Sequence, residues 1–110
     1  MSPSTDIRGV VNRILERLVT SYRPQKVVWY GSHTRGHGAP DSDIDLLIVK
    51  DTAQPFLDRI DEVRRLASGT HPRIPFDPLV LTTTEVRERL RRGDQFIAQI
   101  LESGEVLYAA

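Results

Sequence analysis

Gly31-Ser32-His33-Thr34-Arg35-Gly36-His37-Gly38-Ala39-Pro40-Asp41-Ser42-Asp43-Ile44-Asp45 lies between two apolar runs, Lys26-Val27-Val28-Trp29-Tyr30 before it and Leu46-Leu47-Ile48-Val49 after it. Both runs have the length and the β-branched, aromatic or aliphatic content of buried strands, so the stretch reads as the loop joining them. Side chains alternate along a strand. Asp43 and Asp45 therefore share one face while Ile44 and Leu46 take the other, with the two acids roughly 6 to 7 Å apart at the backbone. Two carboxylates so placed beside an apolar run repel each other and are costly to desolvate, which calls for a cation. A hard divalent ion such as Mg²⁺, which takes carboxylate oxygens together with substrate phosphates, meets that need.

Other readings of the stretch fail on particular residues. Asp41, Asp43 and Asp45 begin like an EF-hand loop, but Leu46 stands where that loop needs Gly and Thr52 where it needs Glu. A P-loop requires Gly-Lys-Ser/Thr and a dinucleotide fingerprint requires a third glycine opening a helix, whereas Gly36 and Gly38 run into Ala39, Pro40 and Asp41. An exposed acidic turn would account for Asp-Ser-Asp alone. It leaves the Gly-Ser at the end of the preceding strand to chance.

Gly31-Ser32, Arg35-Gly36 and Ser42-Asp43-Ile44-Asp45 together resemble the signature of the DNA polymerase β-like nucleotidyltransferase superfamily, and the short chain is similar to its minimal nucleotidyltransferase branch. The likeness covers about Lys26 to Leu81. It implies an α/β (α+β) fold, a small mixed β-sheet of three to four strands packed with helices. It also implies that Gly31 and Ser32 grip the triphosphate, that Asp43 and Asp45 bind divalent metal, and that a third acid comes from a later strand. Asp77, in Ile74-Pro75-Phe76-Asp77-Pro78-Leu79-Val80-Leu81, is the candidate. By this likeness Asp43, Asp45 and Asp77 would hold two Mg²⁺ ions against ATP, with Asp77 serving as general base for the acceptor or orienting its metal.

The loop residues differ in the chemistry they can carry. Gly31 lacks a Cβ and so admits phosphate oxygens close to the backbone, and the Ser32 hydroxyl can donate to them. Arg35 can pair with a phosphate or brace an acid such as Asp43, and the sequence leaves both open. His33 and His37 read as solvated loop residues rather than a metal pair.

The acceptor is the least legible part. A chain of 110 residues has little beyond a catalytic core from which to build an acceptor pocket. Free-standing minimal members of the family are often paired with a HEPN-type toxin, acting as the antitoxin by transferring AMP to a tyrosine of that partner. The resemblance implies this role here. Two alternatives stand beside it: transfer to a small-molecule hydroxyl such as that of an aminoglycoside, and a non-catalytic module that masks a toxin.

Composition narrows the class further. The length suits one domain spanning 1–110. With 15 basic and 15 acidic residues the formal net charge is zero, so no global field draws the chain onto nucleic acid or an anionic membrane. The absence of cysteine excludes disulfides, thiolate metal sites and thiol nucleophiles. No leader or membrane-length apolar run is evident, so a cytoplasmic location is expected.

Along the chain, Ser4, Thr5 or Asp6 can cap a first helix whose stripe is Ile7, Val10, Val11, Ile14, Leu15, Leu18 and Val19, and Pro24 ends that pattern. Trp29 and Tyr30 fall on opposite strand faces and are expected to pack. A second helix from about Pro55 to Ala67 is expected to bury Phe56, Leu57, Ile60, Val63 and Leu66 or Ala67, with Arg59, Arg64 and Arg65 among its exterior charges. Prolines at 75 and 78 mark the strand holding Asp77 as an edge or interrupted one. A helix from about Thr84-Glu85, a Gly93-Asp94 break and a helix ended by Ser103-Gly104 follow, with a short strand at Val106-Leu107-Tyr108. Arg87, Arg89, Arg91 and Arg92 read as a solvated face, or more sharply as a docking surface for an acidic partner.

Overall fold

The computed structural model describes residues 7–31 and 43–110. Valines, isoleucines and leucines in short runs build a four-stranded mixed sheet in the order β3-β2-β1-β4. The strands are β1 (Lys26–Tyr30), β2 (Ile44–Val49), β3 (Phe76–Leu81) and β4 (Glu105–Ala109). β1 pairs antiparallel with both β2 and β4, whereas β2 and β3 run parallel. A parallel neighbour needs a crossover, and α2 (Phe56–Leu66) supplies it. β3 is an edge strand, as Pro75 and Pro78 led one to expect.

Because both sheet faces are covered, the central strands are apolar on each side. On one face Val27, Trp29, Leu46 and Ile48 meet α1 (Ile7–Arg17) and α2, through Val10, Val11, Ile14 and Val63. On the other, Val28, Leu47, Val49 and Leu81 meet Ile97 and Ile100 of α4 (Gln95–Ser103), with Val86 of α3 (Thr83–Arg91) packed alongside. The first helix continues past Arg17 as a π-helical turn, Leu18–Tyr22, which keeps Leu18 and Tyr22 buried. It ends where Arg23 turns left-handed at φ 56°, next to Pro24. The expected capping residues Ser4, Thr5 and Asp6 lie outside the described residues.

α2 departs from the expected stripe. Phe56 and Leu57 are 38% and 70% exposed, whereas Arg59, expected on the exterior, is only 6% exposed. Arg59 shares a helix face with Val63, one turn on, so that face carries its guanidinium inward. There it donates to the carbonyls of Gln54 (2.8 Å) and Val80 (3.3 Å) and pairs with both carboxylate oxygens of Glu85 (2.7 and 3.2 Å). Glu85 also closes a capping box at the start of α3: its backbone N–H donates to the Thr82 hydroxyl, and its carboxylate accepts from the Thr82 N–H.

The Arg59 hydrogen bond, with the Thr82 amide, holds the Glu85 carboxyl below the usual carboxylate range. A lowered folded pKa means that this stabilisation is complete above the unfolded value of about 4.3. It is lost as pH falls through the folded value. In urea titrations, the stability gap between the wild type and Glu85→Gln should accordingly close as pH drops below about 4.3. A gap of constant size would remove Glu85 from the acid response.

The arginines of α3 and Arg92, which caps its end, form a mixed-charge solvated surface. Arg91 and Arg92 pair with Glu88, the latter at 3.9 Å, and Arg89 lies 3.7 Å from Asp94. Among the described residues no helix is long and apolar enough to cross a membrane.

Candidate active site

Strand pairing brings the acids together. Asp43 immediately precedes β2, Asp45 is its second residue and Asp77 is the second residue of β3. The parallel register sets Asp45 directly beside Asp77, while the antiparallel register sets it beside Tyr30 at the end of β1. By alternation Asp45 and Asp77 share the sheet face of Leu47, Leu79 and Leu81, the face on which α4 packs. Asp43, Asp45 and Asp77 each offer a carboxylate oxygen, and these lie within 4.8 Å of one another. Asp43 and Asp77 are exposed and Asp45 is half-buried.

Gly31 completes this end of the sheet at φ +100°, a left-handed conformation that side chains resist. A Cβ added there would stand 2.7 Å from Asp45 Oδ2. Gly31→Ala should therefore cost about 1–3 kcal/mol from backbone strain alone and displace the Asp45 carboxylate. Chemical denaturation and divalent-metal titration of the variant measure the two effects. Wild-type values for both would mean that the close approach carries no constraint.

The donor chemistry fits a hard divalent ion. All three groups are carboxylates, which Mg²⁺ and related cations prefer, and among the described residues no softer ligand joins the cluster. Among the described residues Arg64 supplies a counter-charge, its Nη2 standing 3.9 Å from Asp77 Oδ1 with both side chains more than half exposed. Solvent screens so open a pair strongly. Arg64 Nη1 also donates to the Phe76 carbonyl at 3.0 Å, bracing the strand just before Asp77. Sequence pattern placed Arg64 among exterior charges, which its exposure matches, but the contact with β3 depends on how α2 lies across the sheet.

Trp29 and Tyr30 pack on opposite faces as expected. Trp29 is buried against α1, and Tyr30 meets the Phe96 ring edge-on at 5.9 Å. Burial, with the nearby Asp45 and Asp77 carboxylates, pushes the Tyr30 hydroxyl up to about 12. At neutral pH it is a hydrogen-bonding group and not a base. Beside it a cleft of about 200 Å³ opens between Gly31 and α4, lined also by Phe96, Gln99 and Gly104. The expected phosphate-contacting residues Ser32 and Arg35 lie outside the described residues, as do His33 and His37.

A mixed sheet with helices on both faces and acids from adjacent parallel strands converging at one end is the architecture of a nucleotidyl-transfer fold. The chain belongs to the nucleotidyltransferase domain family, whose model matches residues 11–105. Among solved structures it is similar to a Sulfolobus solfataricus protein provisionally described as a nucleotidyltransferase, with a TM-score of 0.63 and 22% identity over 99% of this chain and 90% of that one. At that identity the likeness speaks for the fold. No curated protein matches.

Proposed function

We propose that this chain transfers AMP from ATP to a hydroxyl, in the first instance a tyrosine, of a HEPN-type partner protein and so acts as its antitoxin. The observation that carries the transferase reading is the meeting of Asp43, Asp45 and Asp77 at one point from two strands. Bound divalent ions would neutralise the triphosphate and lower the pKa of the attacking hydroxyl. Asp43 and Asp45 hold the donor side of the site. Asp77, on the edge strand and exposed, faces the acceptor and takes the proton as the acceptor oxygen bonds to the α-phosphorus and the bond to pyrophosphate breaks. Tyr30, protonated at neutral pH, leaves that task to the carboxylate.

The openness of Asp43 and Asp77 supports an acceptor presented by another protein rather than one enclosed by this chain. Incubating the protein with ATP, Mg²⁺ and a HEPN partner, followed by intact-mass analysis, should add one or more AMP units to the partner. Transfer to free small alcohols with no gain on the partner would favour a small-molecule transferase. Neutralisation of the toxin with no mass change on either would make the chain a masking module.

A further inference from the structure

We propose that the cleft between the end of β1 and α4 receives the heterocyclic base of the donor nucleotide, an inference that rests on the nucleotidyl-transfer reading above. Position is the first support. Gly31 lies in the cleft wall and also close to Asp45, since a Cβ on it would meet Asp45 Oδ2 at 2.7 Å. Tyr30, also in the wall, is the cross-strand neighbour of Asp45. A nucleotide whose phosphates lie over the acids thus has this cleft beside it on the β1 side. Asp77 stands across Asp45 on β3, which leaves the opposite side for the acceptor.

Shape and chemistry are the second support. The cleft, about 200 Å³, falls below the roughly 300–1,000 Å³ of pockets for drug-sized ligands, so it suits one planar ring system. Tyr30 and Phe96 present two rings at 83° to each other, and Phe96 stays 53% exposed, a large apolar surface left in water at the cleft mouth. An aromatic ring is a stacking platform that accepts any base. Gln99 follows one helical turn after Phe96 and also lines the cleft, and its amide both donates and accepts, as reading the edge of a base requires. The Ser103 hydroxyl is already committed to the Gln99 carbonyl at 2.8 Å. Gly104 keeps the end of α4 close to β1. A Cβ there would stand 2.5 Å from the Ile100 carbonyl and 2.6 Å from Val28 Cγ1, so a side chain would push this wall of the cleft away.

The test is calorimetric titration of the full chain, without any acceptor, with ATP, GTP, CTP and UTP and with inorganic tripolyphosphate, all in excess Mg²⁺. At least one nucleotide should bind more tightly than tripolyphosphate. Phe96→Ala should weaken that nucleotide about tenfold, as loss of one base–aromatic stack does, and leave tripolyphosphate unchanged. Phe96→Trp should restore the affinity. Gln99→Leu should narrow the spread among the four nucleotides. Equal binding of nucleotides and tripolyphosphate by the wild type, or Phe96→Ala affinities unchanged for all four nucleotides, would overturn the base site alone. An unchanged spread in Gln99→Leu would overturn the reading role of its amide. If the wild type binds neither nucleotide nor tripolyphosphate, the donor reading itself fails.

Discussion

Asp43→Asn combined with Asp45→Asn should lower AMP transfer to the partner by at least about 10³-fold while leaving the fold intact. The size follows from the role assigned to the site: a transition state that accumulates negative charge loses the ions that neutralise it, and removing even one such stabilising group commonly costs about 10²–10³ in rate. The fold should survive because both side chains stand at the open end of the sheet, neither completing a hydrophobic layer. The metal-free variant should therefore unfold near the wild-type temperature.

Mg²⁺-ATP should raise the melting temperature of the wild type, and the same variant should lose that rise. That rise corresponds to about 2.7 kcal/mol at a ligand concentration of a hundred times Kd. Intact-mass kinetics and thermal scans with and without Mg²⁺-ATP read both effects. Transfer at the wild-type rate would remove the acids from the mechanism, and a collapsed melting temperature without ligand would recast them as structural.

The largest effect on stability is expected away from the site, at Arg59→Ala, with a loss of about 2–4 kcal/mol. The guanidinium is nearly fully buried and ties three elements together: the turn before α2 through Gln54, β3 through Val80 and the cap of α3 through Glu85. Removing it leaves the Val80 carbonyl without that donor and opens a void beneath α2. Glu85 is partly open to water and keeps the Thr82 amide, which holds the cost below that of a fully enclosed ion pair. Arg59→Met should recover part of the loss by refilling the space with an apolar stem. Urea unfolding decides the matter. A change under about 0.5 kcal/mol, the range of ordinary surface substitutions, would mean that the pair behaves as a surface contact.

How much of this was legible beforehand depended on the range of the interaction. Lys26–Tyr30 reads as a strand and folds as one because a β-branched and aromatic run, Val27 to Tyr30, with turn signals after it is a local property. The alternation that puts Asp43 and Asp45 on one face is equally local. Prolines around Asp77 marked an edge strand because a missing N–H has the same consequence in any sheet. In α2 local periodicity misled. Phe56 and Leu57 continue the apolar pattern but overhang the packed surface, whereas Arg59 lies over it because Glu85, twenty-six residues later, waits there as a partner.

The sequence therefore determined, through its motif resemblance, the class of fold, and through its local pattern the strands at which the acids stand. Only the tertiary structure decided that Asp77 stands beside Asp45 in register, that Gly31 leaves room for Asp45 and no more, and that Tyr30 and Phe96 frame a cleft beside them. Covalent neighbours set alternation and turn preference. Convergence of groups more than thirty residues apart is set by which strands pair and how helices lie across them, and that is a property of the whole chain.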